Sequence, residues 1–311
     1  MTFDKSLEQF NDYLHQQDRS RITIKNYLHD LRQFARWFEQ TNGRLPTPET
    51  ITPTDVKEYR AYMQTVRGYK PTTINRRLRS LRAYCRWAVE AGHITADPTA
   101  GIREVRQQRL GPKALDRTET YRLTRTLEER RQWALNTKGA FSGHAVRATR
   151  DLAIVTLLLH TGLRISELAG LKLSDVEMSE RKGSLTVAGK GNKQRQVPLN
   201  ADARKALQRW LEVRPKVESE ALFVGRGGVP LGTRGVQAVL TDLGRRAQVE
   251  GLHPHVLRHT FATRYLEANP GDLVGLATIL GHESLETLRI YTVPNSDRLA
   301  NKVEKLAVSD E

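Results

Sequence analysis

The sequence predicts a mainly α protein: a small helical bundle, then a mostly helical second domain carrying one small antiparallel β-hairpin. Three observations carry this. Apolar residues recur at helical spacing in segment after segment, as in Tyr27, Leu31, Phe34 and Phe38. Strand-like runs cluster on either side of the turn Gly189-Lys190-Gly191-Asn192. The length, 311 residues, leaves room for two domains that each bury a core.

Residues 1–100 hold four expected helices. Asp4 to Gln16 is a short amphipathic one, and Ser20 opens a longer one that Gly43 and Pro46 close. Thr52, Pro53 and Asp55 supply an N-cap, a first-turn proline and an acid at the third position, ahead of the stripe Val56, Tyr59, Met63 and Val66. Gly68 stops that helix. The fourth starts near Pro71, lines up Ile74, Leu78, Leu81, Cys85 and Ala88, and stops at Gly92. Its other face carries Arg76, Arg77, Arg79, Arg82 and Arg86, with no acid before Glu90. Solvated faces usually mix signs to gain pairs four apart, so this one is expected to meet a phosphate backbone. The rings of Tyr27, Trp37 and Trp87 are expected to pack rather than to stack on bases.

Periodicity fails after Asp97-Pro98. The segment 101–115, with Arg103, Arg106, Arg109 and Lys113, reads as a basic interdomain linker, either a flexible strap for a polyanion or a solvated tether.

The second domain, 116–311, opens with the capping pair Asp116 and Glu119 and a helix to about Trp133. Asn136 to Ala148 is polar and breaker-rich, a loop. Asp151 begins an apolar helix through Leu159, and Thr161-Gly162 turns it into RISELAGL, where Arg164 and Glu167 stand three apart. Ser184 to Ala188 and Arg195 to Leu199 form the hairpin, with Lys190 at its tip. Asn200 caps a helix to about Arg214, Ala221 to Val224 is a short buried strand, and Thr233 caps a helix holding Val236, Val239, Leu240 and Leu243. Leu252 to Thr292 then concentrates His255, Arg258, His282 and Tyr291. His255 and Arg258, three apart, share a helix face. A left-handed cap at Gly281 would leave His282 at a loop edge, and Ser284 would cap a short helix that ends at Tyr291. Leu299, Val303 and Leu306 mark a tail helix, Asp297 to Ala307.

The charge is +15, from 50 Lys and Arg against 35 Asp and Glu, so a polyanion is the expected partner. No apolar run approaches the roughly 20 residues of a membrane span, and MTFDKSLEQF is not a secretory signal. A cytoplasmic location is expected. Cys85, the only cysteine, excludes an intrachain disulfide and a cysteine-based zinc site, and is expected in the core. His255 and His259 are four apart but lack the glutamate and third ligand of a zinc helix, so no metal is expected.

Singly, each candidate has a structural explanation; together they form a set for phosphoryl transfer without metal or other cofactor. Two guanidiniums can hold the non-bridging oxygens and the charge that builds on them. Tyr291 supplies the attacking oxygen. Since tyrosine ionises near pH 10, about three units above neutrality, it needs a cationic pocket and a proton acceptor. Lys190 can protonate the leaving 5′ oxygen.

The order Arg, Glu, Lys, His-x-x-Arg, Gly-His, Tyr resembles the tyrosine recombinase (phage integrase) family. The likeness covers TGLRISELAGL, GKGNKQRQVPL, HPHVLRHTFAT, LGHESLETLRIYT and the amino-terminal helices, which are similar to the family's core-binding, SAM-like domain. It implies that Arg164 and Arg258 clamp the scissile phosphate, that His282 adds a hydrogen bond, and that Lys190 is the general acid. It also implies that His255 is a hydrogen-bonding or general-base member, that Glu167 holds Arg164, and that Tyr291 forms a 3′-phosphotyrosyl bond. Neither ATP nor a metal is implied. The implied architecture is a C-shaped clamp on double-stranded DNA with inverted-repeat core sites, assembled as a homotetramer or heterotetramer through the tail helix.

With no added domain ahead of the core-binding helices, the chain is similar to compact Xer-like and transposon-borne members, although Asn136 to Ala148 is longer than the loop of Xer-type members. Integration, excision, resolution and inversion are all compatible with one active site. Two alternatives stay open: a type IB topoisomerase, which relaxes one duplex without a synapse, and a non-catalytic DNA-binding regulator, which would have lost Tyr291 or Lys190.

Overall fold

Amphipathic stripes and explicit caps produce the first helices where the sequence places them. The computed structural model describes residues 1–106, 113–189 and 194–281. Contacts divide the chain into Met1–Arg109 and Leu110–Glu311. The first unit contains α1 (Phe3–Gln16), α2 (Arg21–Asn42), α3 (Pro53–Ala61) and α4 (Pro71–Glu90). The Ser20 hydroxyl accepts from Thr23 N at 3.2 Å, and Thr52 and Asp55 form the reciprocal capping box. The α4 stripe from Ile74 to Ala88 is buried with Phe10, Phe34, Phe38 and Tyr59. Trp37, Trp87 and Cys85 lie in the same core.

Val66 departs from its expected stripe and is 70% exposed. The cause is a π turn at Tyr62–Val66, where Arg67 N donates to Tyr62 O five residues back at 3.0 Å. The wider turn rotates Val66 off the face that buries Met63.

The expected strap is not free over its first part. Asn75 behaves as a strand partner for Val105, donating Nδ2 to its carbonyl at 2.9 Å and accepting its N–H on Oδ1 at 2.8 Å. Arg82 Nη2 donates to Ile102 O at 2.9 Å, and Ile102 is buried. Residues 102–105 are therefore docked on α4. Lys113 and Leu115 belong to the second unit, where Lys113 Nζ donates to Glu250 O and Leu115 N to Thr260 Oγ1.

In the second unit, α6 (Gly143–Thr161) is apolar nearly all round and packs against α5 (Arg117–Lys138), α8 (Ala201–Val213) and α10 (Pro254–Ala268). Between them lie α7 (Ile165–Gly170), a sheet of β1 (Val176–Met178), β2 (Gly183–Ala188) and β3 (Gln194–Pro198), and α9 (Thr233–Arg246). The sheet is antiparallel in the order β1-β2-β3, with Leu185 opposite Val197 and Val187 opposite Arg195. The last described helix is α11 (Leu273–Leu280).

Three local expectations need correction. The loop expected over 136–148 shrinks to 139–142, because α5 runs to Lys138 and Ser142 caps α6. The buried side of that first turn is Ala145 and Ala148, too small to give an apolar signal. The stretch 221–224 is buried from Leu222 to Val224 but forms only isolated bridges, Lys172 with Ala221 and Val224 with Pro230. Two backbone bonds, Leu222 N to Leu171 O and Leu231 N to Phe223 O, are supplemented by side chains: Trp210 Nε1 donates to Leu222 O, Arg214 to Ala221 O, and Arg150 to Val224 O. Thr233 is the first residue inside α9, and Gly232, in extended conformation, is its N-cap. No described helix is long and apolar enough to cross a membrane.

Candidate active site

The described part of the site is built on the C-terminal end of α11. Its final carbonyls have no partner within the helix, and they carry the negative end of its dipole. Three arginines from three other elements take them. Arg195 Nε donates to Ile279 O at 2.9 Å. Arg258 Nη2 and Arg164 Nη1 both donate to Leu280 O, at 2.8 and 3.3 Å. Arg164 Nη2 reaches Gly281 O at 3.4 Å. Gly281 ends the helix in the left-handed conformation expected for it (φ 63°, ψ 51°).

A second glycine sets the other wall. Gly162 caps α6 with φ 63°, which turns the chain at once into α7 and places Arg164 at its N-cap. A methyl group on Gly162 would lie 2.5 Å from Phe261 Cδ1 and 2.6 Å from Leu280 Cδ2, so α10 and α11 pack directly onto this turn. Its carbonyl accepts from Arg258 Nη1 at 2.6 Å. Arg258 is thus buried between two carbonyls, while the Arg164 side chain stays 40% exposed.

Glu167 lies beneath Arg164 with 6% of its side chain exposed. It accepts from Arg164 N and Nη1, both at 2.8 Å, and from Arg195 Nη1 and Nη2, at 3.0 and 2.9 Å. Burial pushes its carboxyl up, but the hydrogen bonds from Arg195 and from the Arg164 backbone outweigh that and leave it below the usual carboxylate range.

Arg195 is the member of this cluster that the sequence reading above lacks, although it lies inside GKGNKQRQVPL. The signal was available. Strand side chains alternate, so Arg195 shares a face with Val197, which is buried; an arginine on an inward face must find an anion.

His255 stands in the first turn of α10 with its ring edge-on to His253, centroids 6.2 Å apart. Partial burial, followed by the charges of His253, Arg258 and Arg164, holds its pKa below the usual histidine value, which favours the neutral ring. His259, one turn on, is pushed down to about 4, mainly by burial. Lys190, His282, Tyr291, the helix expected after Ser284 and the tail helix lie outside the described residues.

The α4 arginines have protein partners that the sequence did not suggest. Arg76 pairs with buried Asp30. Arg77 lies over the Tyr69 ring at 4.7 Å and donates to Tyr59 Oη at 3.4 Å. Arg79 forks onto Glu104 at 2.8 and 2.9 Å, and Arg86 stands 4.0 Å from Asp97. Arg79 and Arg86 remain exposed, with 60% and 68% of their side chains open to solvent.

Two guanidiniums meeting at one carbonyl, one buried and one open, are a donor set of the kind that suits a tetrahedral anion, and they stand on a helical scaffold with a basic first unit. Comparison with known proteins narrows the class. Residues 134–298 match the Phage integrase family, and residues 7–92 match the Phage integrase, N-terminal SAM-like domain. The chain is 34% identical over 290 residues to Tyrosine recombinase XerC of Corynebacterium glutamicum, covering 92% of this chain and 86% of the relative. It is 33% identical over 293 residues to Tyrosine recombinase XerC of Lactobacillus leichmannii, covering 92% of each. Among solved structures, XerA recombinase aligns at 29% identity over 98% of this chain and 99% of that one, with a TM-score of 0.52. The fold is shared with XerH recombinase bound to palindromic difH substrate in a post-cleavage complex: TM-score 0.74 at 22% identity, over 91% of this chain and 79% of that one. The chain belongs to the phage integrase family and is a tyrosine-type site-specific recombinase. The relaxation and regulator alternatives gain no support from these relatives.

Proposed function

We propose that Arg164 and Arg258 hold the scissile phosphate of double-stranded DNA and that Tyr291 attacks it. The observation that carries this reading is their convergence on Leu280 O, which brings two guanidiniums from different helices to one point. Tyr291 Oη displaces the 5′ oxygen, leaving a 3′-phosphotyrosyl bond, and the departing oxygen takes a proton from Lys190. His255, whose neutral form its surroundings favour, accepts a hydrogen bond or the tyrosine proton. His282, next in the chain after Gly281, donates to the phosphate, and Glu167 fixes Arg164. The phosphotyrosyl bond keeps the energy of the phosphodiester, so a 5′-hydroxyl from a second duplex reseals it without ATP.

The partner is double-stranded DNA with inverted-repeat core sites, bound in the cytoplasm. Residues 1–100 form the core-binding domain, 101–115 the linker, and 116–311 the catalytic domain with its tail helix. Arg76, Arg77, Arg79, Arg82 and Arg86 carry the backbone contacts of the first domain, with exposed Arg79 and Arg86 closest to direct exchange of a carboxylate for a phosphate. Four subunits, of this chain alone or with a second recombinase, form the synapse through the tail helix.

The test is covalent trapping on nicked suicide duplexes in the presence of chelator. An adduct is expected with the wild-type protein and none with Tyr291→Phe. Lys190→Ala should lose cleavage but regain it on a 5′-bridging phosphorothiolate, whose thiolate leaves without a proton. An adduct that survives Tyr291→Phe would refute the reading.

A further inference from the structure

We propose that Arg195 is a positioning residue for DNA cleavage: it neutralises Glu167, so that this carboxylate can hold Arg164 without cancelling its charge at the phosphate. The inference rests on the reading of Arg164 as a phosphate clamp.

The local charge count carries the argument. Glu167 and Arg195 are both largely buried, with 6% and 13% of their side chains exposed, where charges interact strongly. Glu167 makes two contacts to Arg164, one to its backbone N–H and one to its guanidinium. Without a further cation, carboxylate and guanidinium would form a neutral pair. A phosphate gathering negative charge in the transition state would then face no net charge from that side of the site. Arg195 restores a net single positive charge to the trio, and it does so away from the DNA-facing Arg164. All three of its guanidinium nitrogens are committed inward, two to Glu167 and one to Ile279 O.

A purely mechanical role, pinning β3 to α11, is the competing account. The sheet has other anchors. Leu185, Val187 and Val197 are buried in the main core, and β2 pairs with β3 along five residues from Ser184↔Pro198 to Ala188↔Gln194. The two accounts differ in what charge, rather than shape, should rescue.

The experiment is single-turnover cleavage of a suicide duplex at saturating protein, with DNA affinity measured in parallel. Arg195→Gln is expected to slow cleavage tenfold or more while Kd stays within about threefold, because the first unit and the other cations still bind the backbone. The Glu167→Gln, Arg195→Gln double variant, which removes one charge of each sign, is expected to cleave several-fold faster than Arg195→Gln alone. Arg195→Lys keeps the charge without the fork and is expected to stay within about fivefold of wild type. A pinning role predicts instead that Arg195→Lys is as slow as Arg195→Gln and that the double variant shows no recovery; either result overturns the proposal. Arg164→Ala and Tyr291→Phe run alongside. Normal cleavage by these would bring down the underlying reading and the inference with it; normal cleavage by Arg195→Gln alone would sink only the inference.

Discussion

Replacing Gly162 with alanine tests the packing that brings the arginines together. The residue has φ 63° and ψ 22°, a conformation that costs an L-residue on the order of 1 kcal/mol or more. The added methyl would also meet Phe261 and Leu280 at 2.5 and 2.6 Å, well inside contact distance. Relieving such overlaps in a packed core costs about 1–3 kcal/mol, so the total is about 2–4 kcal/mol. Gly251→Ala is the matched control, in the same unit, with φ 67° and no atom within 4 Å of the added carbon. It should cost only the backbone share, about 1 kcal/mol. Hydrogen exchange of the α6 amides under increasing urea reads the stability of this unit without assuming that both units unfold together. Cleavage should fall more than DNA binding, because the Gly162 carbonyl holds Arg258. Equal losses for Gly162→Ala and Gly251→Ala, with cleavage unchanged, would refute the reasoning.

Other perturbations have equally definite outcomes. His259 titrates near 4 when folded and near 6.5 when unfolded, so the unfolded chain takes up its proton first and stability falls as pH drops through that window. Discounted for partial exposure, the loss between pH 7 and pH 5 is roughly 1–2 kcal/mol. Urea midpoints at the two pH values should converge in His259→Gln relative to wild type. Asn75→Ala removes both hydrogen bonds to Val105, so limited proteolysis should cut at Arg103 and Arg106 faster than in the wild type. Arg79→Gln should lower the slope of log affinity against log salt by about 0.9 if Arg79 trades Glu104 for a phosphate, and leave it unchanged if it does not.

What the sequence made legible was local. Caps at Ser20, Thr52, Asp116 and Asn200 could be read because donor and acceptor lie within four residues. The pairing of Arg164 with Glu167 could be read for the same reason. Arg258 and the left-handed Gly281 followed from helical spacing and glycine chemistry. What escaped was pairing across the chain. Asp30 and Glu104 neutralise arginines on α4 from other segments, and Arg195 reaches Glu167 across 28 residues. The docking of 102–105 escaped because its polar anchors, Asn75, Arg79 and Arg82, sit on a helix that otherwise reads as core and charge. The first turn of α6 reads as loop in the sequence because Ala145 and Ala148 bury surface without an apolar signal.

The central claim is that this scaffold aims phosphodiester cleavage at one tyrosine. The most direct test is to trap the adduct on a suicide duplex, digest the DNA with nuclease and the protein with protease, and identify the peptide that retains a nucleotide by mass spectrometry. The account predicts a single modified peptide containing Tyr291, with the nucleotide joined through its 3′ phosphate. A nucleotide on any other residue, or one joined through a 5′ phosphate, would contradict it.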